Sequence, residues 1–145
     1  MQKLLSPRVA VYRQGHYGWH VDTPIMDLNR ADLSFTIFLN SGDDYEGGEL
    51  ELDLNGIKAK VKGKPGEIII YASGVRHRVL PVISGERRVI VGWLQSNVKL
   101  HEYRERLYGM NVELTKLEKK IESASLDEIT ENLNTIYNQM VRDYS

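Results

Sequence analysis

Between residues 9 and 95 the apolar residues fall into short or strictly alternating runs broken by glycine, the pattern of an all-β sandwich or barrel. The clearest piece is residues 49–62. Leu50, Leu52 and Leu54 alternate with Glu49, Glu51 and Asp53; Asn55-Gly56 intervenes; Ile57, Ala59 and Val61 then alternate with Lys58, Lys60 and Lys62. Asn-Gly suits a two-residue type I′ turn, whose central residues both need positive φ. Such a turn sets Asp53 opposite Lys58, Glu51 opposite Lys60 and Glu49 opposite Lys62, with the apolar residues paired on the other face. Further strands are predicted over residues 9–12, 18–22, 33–40, 66–72, 77–83 and 87–95. With the hairpin this makes about eight strands, enough for two packed four-stranded sheets.

After Gln95 the period changes. Leu100, Tyr103, Leu107, Met110, Leu114, Leu117 and Ile121 recur at spacings of three and four, marking one face of a long amphipathic helix. Ser125 followed by Glu128 suits a capping box, and Ile129, Leu133, Ile136 and Met140 stripe a second helix. The expectation is one domain. Residues 1–98 form its β core and residues 99–145 a helical extension packed on it, with a homodimer contact as the other use of the stripe.

Composition narrows the chemistry. The 145 residues suffice for one compact core, and 19 basic against 20 acidic residues leave a net charge of −1, which argues against nucleic-acid binding. Cysteine is absent, so disulfides, iron–sulfur ligation and thiol nucleophiles are excluded, and any metal must be held by nitrogen and oxygen. No stretch reads as a signal peptide or a membrane span, and a cytoplasmic setting is expected.

Two of the four histidines carry the candidate site. In His20-Val21-Asp22 an imidazole and a carboxylate stand two apart, so on a strand they project from the same face. His77 opens a later strand, and strands this distant in sequence can be neighbours in a barrel. Two imidazoles and one carboxylate on one side of an ion form the facial triad of non-haem Fe(II) oxygenases, which leaves coordination positions open for an oxoacid and O2. A His-x-Asp pair alone is a weak motif, and its company matters.

Arg87 begins a strand on which it shares a face with Val89, Val91 and Trp93, while Arg88 shares the other with Ile90 and Gly92. One arginine therefore points with an apolar row, which is costly without an anion. A dicarboxylate co-substrate would supply that anion to Arg87; the alternative is a solvated Arg87 at the strand mouth, or one bonded to Glu86 or Glu67. Tyr12 and Tyr17 offer hydroxyls to the same cavity or simply pack in the core. Asp27, Arg30 and Asp43 read as solvated loop charges, with a place at the cleft border as the alternative.

Several segments, in order and at compatible spacing, resemble the PKHD-type hydroxylases of the prolyl-4-hydroxylase-like Fe(II)/2-oxoglutarate oxygenases. They are Tyr12 with the run from Tyr17 to Asp22, Arg30-Ala31-Asp32-Leu33-Ser34-Phe35-Thr36-Ile37-Phe38-Leu39, and Tyr45-Glu46-Gly47-Gly48-Glu49-Leu50. Pro65-Gly66-Glu67 leading through Tyr71 to His77, and Arg87 followed by Trp93-Leu94-Gln95-Ser96, complete the set. The resemblance implies a double-stranded β-helix (jelly roll) with iron on His20, Asp22 and His77, the distal carboxylate of 2-oxoglutarate on Arg87, and Tyr12 as a second contact to that co-substrate. It further implies O2 as oxidant, ascorbate as reductant, and hydroxylation of a peptidyl or small-molecule substrate. Members of this family usually carry a substantial region ahead of the segment that starts here near Pro7. Two rival readings remain at this stage: a cupin-like metal enzyme without 2-oxoglutarate, and a truncated non-catalytic module that dimerises through its tail.

Overall fold

The computed structural model describes residues 3–120 and 127–145. The chain divides into two compact units, Met1–Ser96 and Asn97–Ser145. The first contains β1 (Lys3–Tyr12), β2 (Tyr17–His20), β3 (Ile25–Met26), β4 (Asn29–Arg30), β5 (Leu33–Phe38), β6 (Tyr45–Gly47), β7 (Leu50–Leu54), β8 (Ile57–Val61), β9 (Ile68–Ala72), β10 (Arg76–Val79), β11 (Val82–Gly85) and β12 (Arg87–Gln95). They form two four-stranded antiparallel sheets, ordered β1-β12-β5-β9 and β2-β10-β7-β8, with the small ribbons β11-β6 and β3-β4. This is a jelly roll, the fold the resemblance implies, and its two four-stranded sheets are those the strand count predicts.

The β7–β8 hairpin adopts the expected register, with Asp53 opposite Lys58 and Glu51 opposite Lys60. Asn55 and Gly56 take the positive φ of the turn (55° and 95°), and Asp53 Oδ1 accepts the Gly56 amide at 2.8 Å. Three details differ. Glu49 and Lys62 lie beyond the paired strands; Lys62 instead donates to the carbonyls of Gly42 and Tyr45. Leu54, at the turn, is exposed. Glu51, placed by alternation on the solvent face, is only 4% exposed. Arg78 on β10 pairs with it at 2.5 Å, and the indole of Trp19 on β2 gathers Lys58, Arg76 and Arg78 over the same face at 4.5, 5.0 and 4.5 Å. A charged, aromatic layer thus covers a surface that a two-strand pattern leaves open to water.

The predicted strand over 77–83 is two strands. Leu80 N–H donates to Glu49 and Gly48 N–H to the Pro81 carbonyl, so the chain turns at Leu80-Pro81 and β11 pairs with β6 instead of continuing β10. Gly47 sits at this crossing with φ 71°; a Cβ there would stand 2.1 Å from the Pro81 oxygen, so only glycine fits. The strand predicted over 18–22 ends at His20, and the one over 9–12 begins already at Lys3, with a bulge between Leu5 and Arg8.

Register places whole rows of side chains on the inner face of the β1-β12-β5-β9 sheet. Leu5, Trp93, Ser34 and Tyr71 form one row; Arg8, Val91, Thr36 and Ile69 the next; Ala10, Val89 and Phe38 a third; Tyr12 and Arg87 the last. Leu5, Trp93, Ser34, Val89, Phe38 and Arg87 are all buried. On the β2-β10-β7-β8 sheet His20, His77 and Leu52 form a row, with Val79 and Leu50 behind it.

The second unit is a helical hairpin of α1 (His101–Lys120) and α2 (Asp127–Asp143). Leu107 and Leu114 are buried as the stripe predicts, and the rings of Tyr103 and Tyr144 stack at 3.8 Å. The α2 stripe is rotated from expectation. Ile129 and Ile136 are exposed and Thr130 is buried, while Leu133 and Met140 are half-buried, as are Tyr137 and Val141. Leu100 and Leu117 are also exposed. Ile121, and Ser125 of the expected capping box, lie outside the described residues. No helix among the described residues is long and apolar enough to cross a membrane.

Candidate metal centre

His20 ends β2, His77 lies on β10 directly opposite it, and Asp22 follows two residues beyond the strand end. Asp22 keeps its place without strand pairing because its amide donates to the Ser73 carbonyl at 3.1 Å. Nε2 of His20 lies 3.7 Å from Asp22 Oδ1 and Nε2 of His77 lies 3.7 Å from Oδ2. One ligand atom from each of the three residues lies within 4.8 Å of the others.

The tautomers follow from the partners. His20 Nδ1 lies 2.8 Å from the Gly18 carbonyl and His77 Nδ1 lies 2.8 Å from the Val75 carbonyl. A carbonyl only accepts, so both Nδ1 atoms carry the proton, and both Nε2 lone pairs face the carboxylate. Behind Asp22, the Ser34 hydroxyl donates to Oδ2 at 2.5 Å and stands 2.9 Å from Ser73 Oγ. Two neutral imidazoles and a hydrogen-bonded carboxylate are a donor set for a divalent transition metal, and they fit Fe(II).

Burial pulls the His77 imidazole below its ordinary pKa, and His20 adds to this; the Val75 carbonyl and Asp22 act the other way. The unfolded chain therefore takes up a proton here at higher pH than the folded protein, so metal-free stability rises with pH through that window and falls on acidification. Thermal melts in chelator, from neutral to mildly acidic pH, are expected to show this slope, and His77→Gln to flatten it. An equal slope in the variant contradicts the assignment.

The three residues open onto a cavity of about 410 Å³ that is also lined by Arg8, Tyr12, Thr36, Tyr71, Arg87 and Trp93. Arg87 is 1% exposed, and its Nε and Nη1 have no hydrogen-bond partner. Glu86 does not neutralise it, being engaged by Arg13 and Arg88, and Glu67 accepts the Lys64 amide. Arg87 is therefore neither solvated nor, among the described residues, paired with Glu86 or Glu67. Burial lowers the Arg87 pKa, opposed by Tyr45, Tyr12 and Tyr71 around it. The guanidinium lies 5.2 Å from the Tyr12 ring centre and 5.9 Å from that of Phe38. A buried cation ringed by phenols, with free donors, fits one end of a dicarboxylate.

Sequence reasoning missed Ser34, Ser73, Thr36 and Tyr71. Their signal was the placement of Ser34 and Thr36 alternately in an otherwise apolar strand, which means that one face of β5 is polar inside the barrel. Tyr17 packs its ring edge on His20 at 4.4 Å. Asp27, Arg30 and Asp43 do not line the cavity. Asp27 accepts from Ser6, Arg30 pairs with Asp32 and donates to the Ser96 carbonyl, and Asp43 lies in the 3-10 turn Gly42–Asp44.

A jelly roll with two histidines and a carboxylate converging at one end of its cavity defines a mononuclear metal-centre protein of the double-stranded β-helix class. Within that class the chain belongs to the 2OG-Fe(II) oxygenase superfamily, whose family model matches residues 7–95. It is 50% identical over 96 residues to a PKHD-type hydroxylase of Prochlorococcus marinus (strain NATL2A), covering 66% of this chain and 43% of that protein. It is 42% identical over 104 residues to a PKHD-type hydroxylase of Maricaulis maris (strain MCS10), covering 71% and 48%. The chain thus spans less than half the length of these curated relatives. Among solved structures it is similar to a Pseudomonas putida prolyl-4-hydroxylase, at 30% identity and a TM-score of 0.53, covering 61% of this chain and 51% of that one.

Proposed function

We propose that this protein is an Fe(II)- and 2-oxoglutarate-dependent dioxygenase that hydroxylates a peptidyl or small-molecule substrate. The observation that carries this reading is the pairing, across one cavity, of the three-residue cluster with the buried guanidinium of Arg87, whose Nε and Nη1 lack a hydrogen-bond partner. Family membership and the likeness to PKHD-type hydroxylases support it.

His20, Asp22 and His77 would hold the iron, which supplies the redox chemistry coupling O2 reduction and loss of CO2 from 2-oxoglutarate to oxidation of a C–H bond. The chain's own contribution is positional. The Gly18 and Val75 carbonyls aim the imidazoles, and Ser34 holds the carboxylate. Arg87 would hold the distal carboxylate of the co-substrate, and Tyr12, whose ring lies against the guanidinium, would be a second contact to that co-substrate. The wall of Leu50, Val79, Val91 and Trp93 keeps water from the reacting end.

Ascorbate as reductant, a cytoplasmic setting, and the use of residues 99–145 as an extension of the same domain or as a homodimer contact belong to the same proposal. The test is iron-dependent formation of succinate from 2-oxoglutarate by the purified chain, with chelated protein as control. Succinate in equal amount with and without iron, or none under any condition, overturns it. A cupin-like metal enzyme without 2-oxoglutarate would bind the metal and leave the co-substrate untouched.

A further inference from the structure

The inner face of β1 carries a second cation, and it stands at the other end of the cavity. Arg8 pairs with Val91, and Val91 shares its face with Val89 and Arg87; the residues beside Arg8 on that side of β1 are Leu5, Ala10 and Tyr12. An arginine in this row is a departure from the apolar pattern around it. Its guanidinium lies 5.1 Å from the centre of the Trp93 ring, and among the described residues no carboxylate pairs with it. Trp93 is 5% exposed and lines the same cavity, and its indole N–H is buried without a hydrogen-bond partner. A buried donor normally finds an acceptor, so this pair lacks the acceptor it is built for.

The distal carboxylate of the co-substrate is not that acceptor. Tyr12 stands directly across from Arg87, and Arg8 lies four residues further along β1, which at strand spacing is roughly 13 Å. The five-carbon chain of 2-oxoglutarate spans only about 5 Å between its terminal carbons. Trp93, by contrast, lies opposite Ser34, whose hydroxyl holds Asp22, so the Arg8 end of the cavity is the end next to the metal-holding cluster.

We propose that Arg8 and the Trp93 indole N–H form the substrate subsite and that they select a substrate bearing a carboxylate. The inference rests on the functional reading above and adds the substrate's chemical class. A cation near the mouth, exposed until the substrate arrives, gives the incoming anion its orientation; the indole N–H then takes one carboxylate oxygen out of water. The carboxylate is that of a small free acid or of an acidic residue within a peptide, and the chemistry of recognition is the same.

The experiment uses the full chain loaded with Zn(II), a diamagnetic stand-in for iron, and saturated with 2-oxoglutarate. The chain has two tryptophans, so the Trp93 indole N–H resonance is assigned with Trp19→Phe. Propanoate is expected to shift that resonance to saturation and propanamide to leave it unmoved. Arg8→Gln should weaken the propanoate response about tenfold or more while leaving 2-oxoglutarate affinity as in the parent. A capped Gly-Asp-Gly peptide, set against its Gly-Asn-Gly counterpart, separates the sources: a response to it assigns a peptidyl acid, and a response to propanoate alone a small free acid. Equal behaviour of propanoate and propanamide overturns the inference, as does displacement of propanoate by 2-oxoglutarate, or a loss of 2-oxoglutarate affinity in Arg8→Gln. A wild-type protein that binds propanoate through Arg8 but no 2-oxoglutarate would instead sink the dioxygenase reading and leave the carboxylate subsite standing.

Discussion

His77→Ala is expected to abolish iron-dependent succinate formation and to lower Fe(II) or Mn(II) affinity by more than about a hundredfold. That bound follows because the loss of a residue that merely orients a ligand already costs about 10- to 100-fold, whereas here a ligand itself is removed. His77 is the most buried of the three residues, at 5% exposure, so no water-borne group can readily take its place. The remaining His20–Asp22 pair would hold a metal through two atoms only. Calorimetry of metal binding and a succinate assay read the two effects separately, with far-ultraviolet circular dichroism to show that the variant folds. Retained metal affinity in a folded variant would remove His77 from the site.

Arg87→Met carries the second large effect, and it runs in opposite directions for stability and for binding. In the ligand-free protein the guanidinium is desolvated with free donors, an arrangement that costs folding energy. An apolar side chain of similar reach is therefore expected to stabilise the fold, by about 1 to 4 kcal/mol on the precedent of buried ionic groups replaced by hydrophobic ones. The same change removes the partner of the distal carboxylate, for a loss of about 2 to 5 kcal/mol in 2-oxoglutarate binding, roughly 30- to 5000-fold. A denaturant melt and an anaerobic titration of Mn(II)-loaded protein measure the two. A variant that melts lower and still binds 2-oxoglutarate would show Arg87 to be a structural cation.

Both effects turn on features that differ in how plainly the sequence declares them. β12 was legible to its end residues, because a near-continuous apolar run from Val89 to Leu94 is bounded there by two arginines and Gln95. The β7–β8 register followed from one Asn-Gly pair. The metal cluster needed a spacing of two between His20 and Asp22 plus the non-local guess that His77 is their neighbour, and the β2–β10 pairing supplies it. What stayed hidden depends on contacts between distant strands. Ser34 and Ser73 are ordinary small polar residues until β5 and the loop after β9 meet behind Asp22. The parity of β12 limited the inward arginine to two candidates, and only the folded structure, with Arg87 buried and Arg88 held outside on Glu86, decides between them. The break at Leu80-Pro81 was missed because the apolar run of 77–83 conceals a change of sheet.

The fixing of each imidazole by the carbonyl two residues before it has a bearing on how this site tolerates change over time. Both aiming groups are peptide oxygens, so the rings inherit their bearing from the main-chain path, independently of which side chains positions 18 and 75 display. A Cβ at Gly18 would meet nothing within 4 Å. Those two positions are consequently free to drift among residues that keep the extended path, whereas Asp22, steadied by the hydroxyl of Ser34, depends on a side chain that cannot vary so freely.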